Sequence, residues 1–509
     1  MNRFKQLVFT FTSAVVVLAG SANANTARPN VLFIIADDAS RHFGESNHCD
    51  WVKTPNIDRL AREGLVFDNA YTPTSKCAPS RSSILTGRNP WQLEDAANHQ
   101  PIFPTKFVAF SEVMAAADVV TSGGGKVWGP GIAAKADGSP RGFDLEPTVA
   151  KGKQSAFESF LSARIDDKKP FFYWFGSKNP HRPYQLNAGV DKGKTLRDIP
   201  KVPGYWPDNE TVRGDMLDYA TEVEAFDEEV GQHLKALEKA GFADNTLVIV
   251  TSDHGMPFPR VKGHTYEEAH HIPMVARWPA GIKNPGRRIS EFVSFIDLAP
   301  TFLELFGLEG TIDGASGAMA EITGKSFTDL LKDSPSQQRS FVIFGRERND
   351  VSAREGTPYG LGYPVRAIRE GNLVYIHNFK ADRWPCGDPE LGLKDTDNGP
   401  TKQFIEGLGM DSVYWQHAFG IRPTEQLFDV VADPDCVTNL ADLPKYEKTK
   451  ADLKDRLIAE LVKQQDPRVL GNGDVFDHYV GRIAAKRNAG AATPKVDQQK
   501  QRKKKSSAN

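Results

Sequence analysis

Three unbroken apolar runs stand out along the chain, and each stops abruptly at carboxylates or a histidine. Val31–Ile35 ends at Asp37 and Asp38, Phe171–Phe175 leads to His181, and Leu247–Val250 ends at Asp253 and His254. Runs that are apolar at every position suit strands covered on both faces, as in a parallel or mostly parallel sheet. Between them the spacing changes to threes and fours. Tyr219, Val223, Phe226, Val230, Leu234 and Leu237 predict a helix over Asp218–Ala240, with Gly241 as its stop. Asn56–Gly64 and Asp297–Gly307 each join a polar start to a glycine stop and predict two more helices. Helices alternating with strands predict an α/β fold, in which the reactive crevice lies beyond the carboxyl ends of the strands. Polar residues at three such ends are therefore expected to converge.

After about Phe341 the strand-like pieces shorten. "YPVRAIREGNLVYIHNF" predicts a hairpin turning at Glu370–Asn372, and Tyr446–Gln464 predicts a helix with Leu453, Leu457 and Leu461 on one face. No internal repeat of fixed period is present. The expected organisation is a large α/β domain over 25–345 and a smaller α+β domain with an antiparallel sheet over 346–470. A C-terminal extension over 471–509 is expected to be basic and disordered at its end.

Composition excludes more than it assigns. The 63 basic and 65 acidic residues leave a net charge of -2, so no global field favours nucleic acid or anionic lipid, and any anion site must be local. The one block of like charge, Lys500 with Arg502 to Lys505, reads as a solvated tail. At the other end, Arg3 and Lys5, the apolar run Leu7–Gly20 and the small residues Ala22 to Ala24 predict an export signal over 1–24. That run is too short to cross a bilayer, and no other stretch reaches the ~18 apolar residues of a membrane span. A periplasmic or secreted protein is expected. Its four cysteines are too few for a disulfide scaffold, although Cys386 with Cys436, or Cys49 with Cys77, could pair.

Adjacent carboxylates at a strand end repel one another and need a cation if they are buried. Asp37 and Asp38 at one end, joined by Asp253 and His254 at another, predict a divalent metal site. Three carboxylates favour calcium or magnesium, while the imidazole suits zinc or manganese better. In "SKCAPSRSSILTGR", Pro79 and Gly87 frame a predicted short helix over Ser80–Leu85. Cys77 then lies near the helix N-terminus, where negative charge is favoured, and Arg81 adds a fixed cation one turn on. This is a seat for an anion or an anionic nucleophile; a buried or disulfide-bonded thiol is the alternative.

At these residues the chain resembles the type I sulfatases. "CAPSR" fits their C-x-P-S-R signature, and "IIADD", "LTGR", "GKVWGPG", "PHRPY" and "TSDHG" follow the same order, from about Asn30 to the Asp-Pro segment near Asp433. "PFP" after "DHGM" and the "YPVRAI" hairpin resemble the heparan N-sulfatase (sulfamidase) branch in particular. The resemblance implies an alkaline-phosphatase-like core. It also implies that Cys77 is oxidised to formylglycine by a formylglycine-generating enzyme, and that the hydrated aldehyde offers one hydroxyl to attack sulfur and a second to expel sulfate. Asp37, Asp38, Asp253 and His254 would hold calcium with the modified Cys77, and Arg81 would steady it. Lys126, His181 and Lys262 would supply the sulfate contacts and the leaving-group acid. The implied substrate is a sulfated oligosaccharide or polysaccharide, with O- or N-linked sulfate.

One departure matters. Relatives often carry a histidine shortly after the lysine of "GK", whereas Val127 is followed here by Trp128, Gly129 and Pro130. His264, His270 and His271 are candidates to replace it, and a second metal on these histidines with Glu267 or Glu268 is a further option. Trp91, Trp128, Tyr184 and Trp384 are candidates for stacking on sugar rings. Two other readings compete: a phosphomonoester or phosphodiester hydrolase of the same superfold, and a non-catalytic exported sugar-binding protein.

Overall fold

A computed structural model describes residues 28–147, 155–167, 169–311, 318–334, 339–356 and 360–482. The expected export signal and the basic block from Lys500 lie outside these residues. Ten strands come first: β1 (Asn30–Ala36), β2 (Leu65–Tyr71), β3 (Ile102–Phe103), β4 (Val120–Gly125), β5 (Ile132–Ala133), β6 (Glu146–Pro147), β7 (Phe171–Gly176), β8 (Thr246–Ser252), β9 (Met274–Arg277) and β10 (Arg287–Ser294). Four follow: β11 (Phe341–Arg346), β12 (Val365–Glu370), β13 (Leu373–Asn378) and β14 (Glu425–Asp429).

Eight of the strands form one sheet in the order β10-β2-β9-β8-β1-β7-β4-β6. All its pairings are parallel except those of β9, which runs against β2 and β8. The three apolar runs are its central strands, and burial on both faces explains why they are continuous. Val31, Phe33 and Ile35 pack into one core with Phe172, Trp174, Leu247 and Ile249. Leu32 and Ile34 pack into the other with Phe171, Tyr173, Val248 and Val250. The small strands β3 and β5 pair separately.

The long helix runs over Glu210–Lys239, two turns further towards the N-terminus than its apolar spacing predicts. Buried acids at and before the predicted start face loops and interrupt the apolar spacing. Asp218 accepts from the backbone amides of Asn187 and Gly189 at 3.0 Å each, and Asp215 binds Arg182 at 2.7 Å. Asn209 caps the true start, accepting from Val212 N. Helix Pro55–Glu63 begins one residue before the expected Asn56, with proline in its first turn.

The second sheet is antiparallel, in the order β11-β12-β13-β14, with the hairpin closing at Glu370 opposite Leu373. Helix Glu447–Lys463 lays Leu453, Leu457 and Leu461 on its Ile368, Tyr375 and Leu427. Because β11 starts at Phe341, a domain cut between residues 345 and 346 would pass through a strand of this sheet. Phe476 is buried against the same face, so the described part of the 471–509 extension is packed. The segment between β13 and β14 instead joins the large core, burying Cys386, Leu393, Ile405 and Trp415.

Candidate active site

Sheet order places the site. β8, β1, β7 and β4 are successive neighbours, and their registers align Ser252 with Ala36, Ile35 with Gly176, and Gly176 with Gly125. The residues that follow, Asp253 and His254, Asp37 and Asp38, the Ser177–His181 segment and Lys126, therefore emerge side by side at one edge. Gly176 is needed there: a β-carbon on it would lie 1.8 Å from the Lys126 carbonyl oxygen. Asp38 holds a left-handed backbone at φ 78°, a conformation that aims its carboxylate back over the strand ends and that persists only where its surroundings fix it.

The signature segment forms helix Cys77–Thr86, so Cys77 is its first residue and does not precede it as expected. Gly87 ends the helix at φ 66°. The helix is buried throughout, and Ser80 Oγ donates to the Asp253 carbonyl at 2.7 Å, fixing its N-terminus over the strand ends. Cys77 Sγ lies 3.4 Å from His254 Nε2 and 3.8 Å from Asp38 Oδ1. All four cysteines are free thiols, so neither of the candidate disulfides forms.

Asp37, Asp38 and Asp253 bring one oxygen each within 4.8 Å of one another, fully buried. Such a cluster demands cations, and the chain supplies several. Arg81 donates from Nε to Asp253 at 2.9 Å and from a terminal nitrogen to Asp37 at 3.3 Å. Lys126 Nζ meets both Asp37 oxygens at 2.6 Å, and Lys262 Nζ meets Asp38 Oδ2 at 2.5 Å. His254 Nε2 lies 3.1 Å from Asp38 Oδ1. Titration follows this crowding. Burial works to raise Asp253, but His254, Arg81 and Lys126 outweigh it and hold the carboxyl below its usual range. Burial pushes the Cys77 thiol up to about 12 despite Lys126 and Lys262 nearby. It also lowers His254, against the pull of Asp253 and Asp38, which favours a neutral imidazole able to accept a metal.

His181 is the exposed member, with a side chain 39 % accessible and Nε2 3.9 Å from Asp38 Oδ2. It opens on a cleft of about 550 Å³ lined by Lys126, Trp128, Lys178, Asn179, Arg182 and Glu222. The nine residues singled out in the sequence therefore come together. The three candidate replacement histidines do not. His264 Nε2 faces Cys386 Sγ at 3.0 Å, His270 is buried between the carbonyls of Thr72 and His264, and His271 pairs with Glu267 and the Asp68 carbonyl. Trp91 is core, hydrogen-bonded to Gln464, whereas Trp128 lines the cleft with Nε1 donating to Ser82 Oγ. Trp384 packs edge-on against Trp415, and Tyr184 lies under the Arg182 guanidinium at 4.4 Å.

Sequence reasoning missed Asp397 and Lys76. Asp397 Oδ2 lies 2.7 Å from Lys262 Nζ, and its Oδ1 lies 3.8 Å from Lys76 Nζ. His99 stands beside them with Nδ1 donating to the Asn349 carbonyl at 3.1 Å, its pKa driven well below 6.5 by burial and by Lys76, Lys262 and Lys126. Asp397 and His99 lie in no motif, and Lys76 sits beside Cys77 in the signature segment, where sequence alone does not show what it faces.

Comparison with known proteins fits this geometry. The sequence model of a family described as Sulfatase matches residues 29–308. N-sulphoglucosamine sulphohydrolase of Homo sapiens is 28% identical, across 89% of this chain and 93% of its own length. An ulvan-active sulfatase of Formosa agariphila is 26% identical across 95% of this chain and 88% of its own length. Among solved structures, a complex with D-glucosamine-2-N,6-O-disulfate superposes with a TM-score of 0.59 at 21% identity, covering 86% of this chain and 98% of that one. A phosphonate monoester hydrolase of Agrobacterium radiobacter superposes at 0.58 with 16% identity, covering 87% and 97%. Identities this low establish a shared fold and no shared chemistry.

Proposed function

The chain belongs to the sulfatase family, and we propose that it removes sulfate from sulfated carbohydrate at the cleft beyond β1, β4, β7 and β8, using a formylglycine made from Cys77. The observation that carries this reading is the placement of Cys77 Sγ within 3.8 Å of both Asp38 and His254, on the first turn of a buried helix. The encoded thiol is buried, and the attacking group in this reading is the formylglycine that the resemblance to the type I sulfatases implies at Cys77. That conversion would call for a formylglycine-generating enzyme, and the hydrated aldehyde would supply the attacking hydroxyl.

The donor set fits one divalent ion. Asp37, Asp38, Asp253 and His254 would hold it with the converted Cys77. Three oxygens outweigh one imidazole, which favours calcium; the ion would polarise the sulfate and the attacking hydroxyl. Lys126 and Lys262 face the same carboxylates and would be placed to meet charge on the sulfate oxygens. Arg81 holds Asp37 and Asp253 in position from the helix. His181, the accessible imidazole at the mouth, is placed to give a proton to the departing oxygen or nitrogen.

Carbohydrate recognition rests on the cleft, which Trp128 lines beside Lys178, Arg182 and Glu222. The relatives' names, N-sulphoglucosamine sulphohydrolase, N-acetylglucosamine-6-O-sulfatase and ulvan-active sulfatase among them, support a sulfated sugar, and the first two name N- and O-linked sulfate. The apolar run Leu7–Gly20 with Ala22 to Ala24 supports export, and among the described residues no helix is long and apolar enough to cross a membrane. The test is mass spectrometry of the Cys77 peptide combined with ion chromatography of sulfate released from defined N- and O-sulfated glucosamines and ulvan oligosaccharides. Converted protein that releases no sulfate from any of them, or that cleaves phosphate esters faster, overturns the reading.

A further inference from the structure

Lys262 is gripped from two sides, and only one grip belongs to the strand-end cluster. Asp38 Oδ2 holds its ammonium at 2.5 Å and Asp397 Oδ2 holds it at 2.7 Å. Asp397 comes from far along the chain, in the segment between β13 and β14, and that segment is anchored on both sides of it. Two residues before, Asp395 accepts from Arg354 at 2.7 Å and from the Asp350 amide at 2.9 Å. Four residues after, Thr401 donates from N and Oγ1 to Asp215, which also holds Arg182. The carboxylate is thus delivered on a braced loop, and it clusters with Asp38 and His181 within 4.8 Å.

We propose that Asp397 is a positioning residue of the desulfation site: it fixes Lys262 towards the sulfate when Asp38 is engaged elsewhere, and it limits the net positive charge that would otherwise retain the product. This rests on the sulfatase reading given above. A divalent ion beside Asp38 competes with Lys262 for the same carboxylate, so the Lys262–Asp38 attraction weakens. Asp397 is then the carboxylate that still holds the ammonium. Charge count points the same way. Asp37, Asp38, Asp253 and Asp397 are matched by Lys76, Arg81, Lys126 and Lys262. A divalent ion makes the pocket positive, which suits a sulfate ester of single negative charge; losing Asp397 makes it more positive and favours the doubly charged sulfate product.

The experiment compares metal-loaded, Cys77-converted wild type with Asp397→Asn, Asp397→Glu, Lys262→Met and the Asp397→Asn/Lys262→Met double variant. A wild type without sulfatase activity refutes the proposed function and not this role. With an active wild type, Asp397→Asn is expected to lower kcat about 10- to 100-fold with KM unchanged or lower. Inorganic sulfate, titrated calorimetrically, is expected to bind it several-fold more tightly than wild type, and Asp397→Glu to regain part of kcat. In the Lys262→Met background Asp397→Asn is expected to cost little further kcat, because its role runs through Lys262. Wild-type kcat in Asp397→Asn, unchanged or weaker sulfate binding, or fully additive losses in the double variant each overturn the proposal; the calorimetric and double-variant readouts are ones that a merely structural residue would not move in this pattern.

Discussion

Cys77 Sγ and His254 Nε2 stand 3.4 Å apart although 177 residues separate them along the chain. The contact exists because His254 follows the end of β8 by two residues and the helix that starts at Cys77 is fastened to the intervening Asp253, whose carbonyl accepts from Ser80 Oγ and whose carboxylate binds Arg81. It follows that the residue at 77 can change without disturbing the frame. Cys77→Ala and Cys77→Ser are expected to lose roughly 10³-fold or more in kcat, with the melting temperature within a few degrees of wild type. Calorimetry beside a sulfate-release assay checks both halves.

Removing divalent ions with a chelator is expected to abolish turnover and lower the melting temperature by only a few degrees. The acids at the strand ends already have Lys126, Arg81 and Lys262 as partners, so the emptied site is not a bare cluster of like charges. Returning calcium should restore activity and raise the melting temperature with concentration, as mass action requires. A chelated protein that unfolds outright at room temperature would contradict this.

In the second sheet, Arg366 is fully buried between Asp466 and Glu347, at 2.7 Å from each. Arg366→Ala leaves Asp466 sealed without a cation and Glu347 with Arg468 alone, and is expected to destabilise the protein by about 3–5 kcal/mol. Urea unfolding followed by fluorescence reads the change. Sulfatase kcat in the surviving folded fraction should be near wild type, because this network does not touch the cleft.

His42 Nε2 lies 4.0 Å from Glu268 Oε1, and their titrations oppose each other. Burial, helped by Arg41, lowers His42 from 6.5 to about 4, while burial raises Glu268 from 4.5 to about 7. Between pH 4.5 and 6.5 the unfolded chain protonates His42 and the folded one does not, so this contribution to stability grows as pH rises. From 4.5 to 7 the folded chain keeps the Glu268 proton that the unfolded one releases, so this contribution shrinks. Glu268→Gln should therefore make the urea midpoint climb more steeply with pH than in wild type, and His42→Asn should make it climb less or fall. Identical pH profiles in all three proteins would rule this out.

Much of the architecture was readable because a strand covered on both faces must be apolar at every position. Val31–Ile35 and Leu247–Val250 announce themselves, and the carboxylates just beyond them could only be surface or site. β4 was silent: Val120–Gly125 is half glycine, chosen for close backbone approach, and carries no pattern. Lys126 was accordingly found through its resemblance to a family motif. Asp397 was illegible, since a braced loop depends on Arg354 and Asp215, partners too distant in sequence to be guessed. The histidines of "GHTYEEAHH" misled for the converse reason: spacing does not reveal that ring nitrogens face main-chain carbonyls and a thiol.

Cys77 is 1 % exposed, on a helix walled in along its whole length. If Cys77 is converted as proposed, another protein could reach such a side chain only before that helix docks, and whether a molecule becomes competent would be decided once, during its biogenesis. Any preparation would then hold a frozen ratio of live to dead copies, which no later incubation with the maturing catalyst could improve.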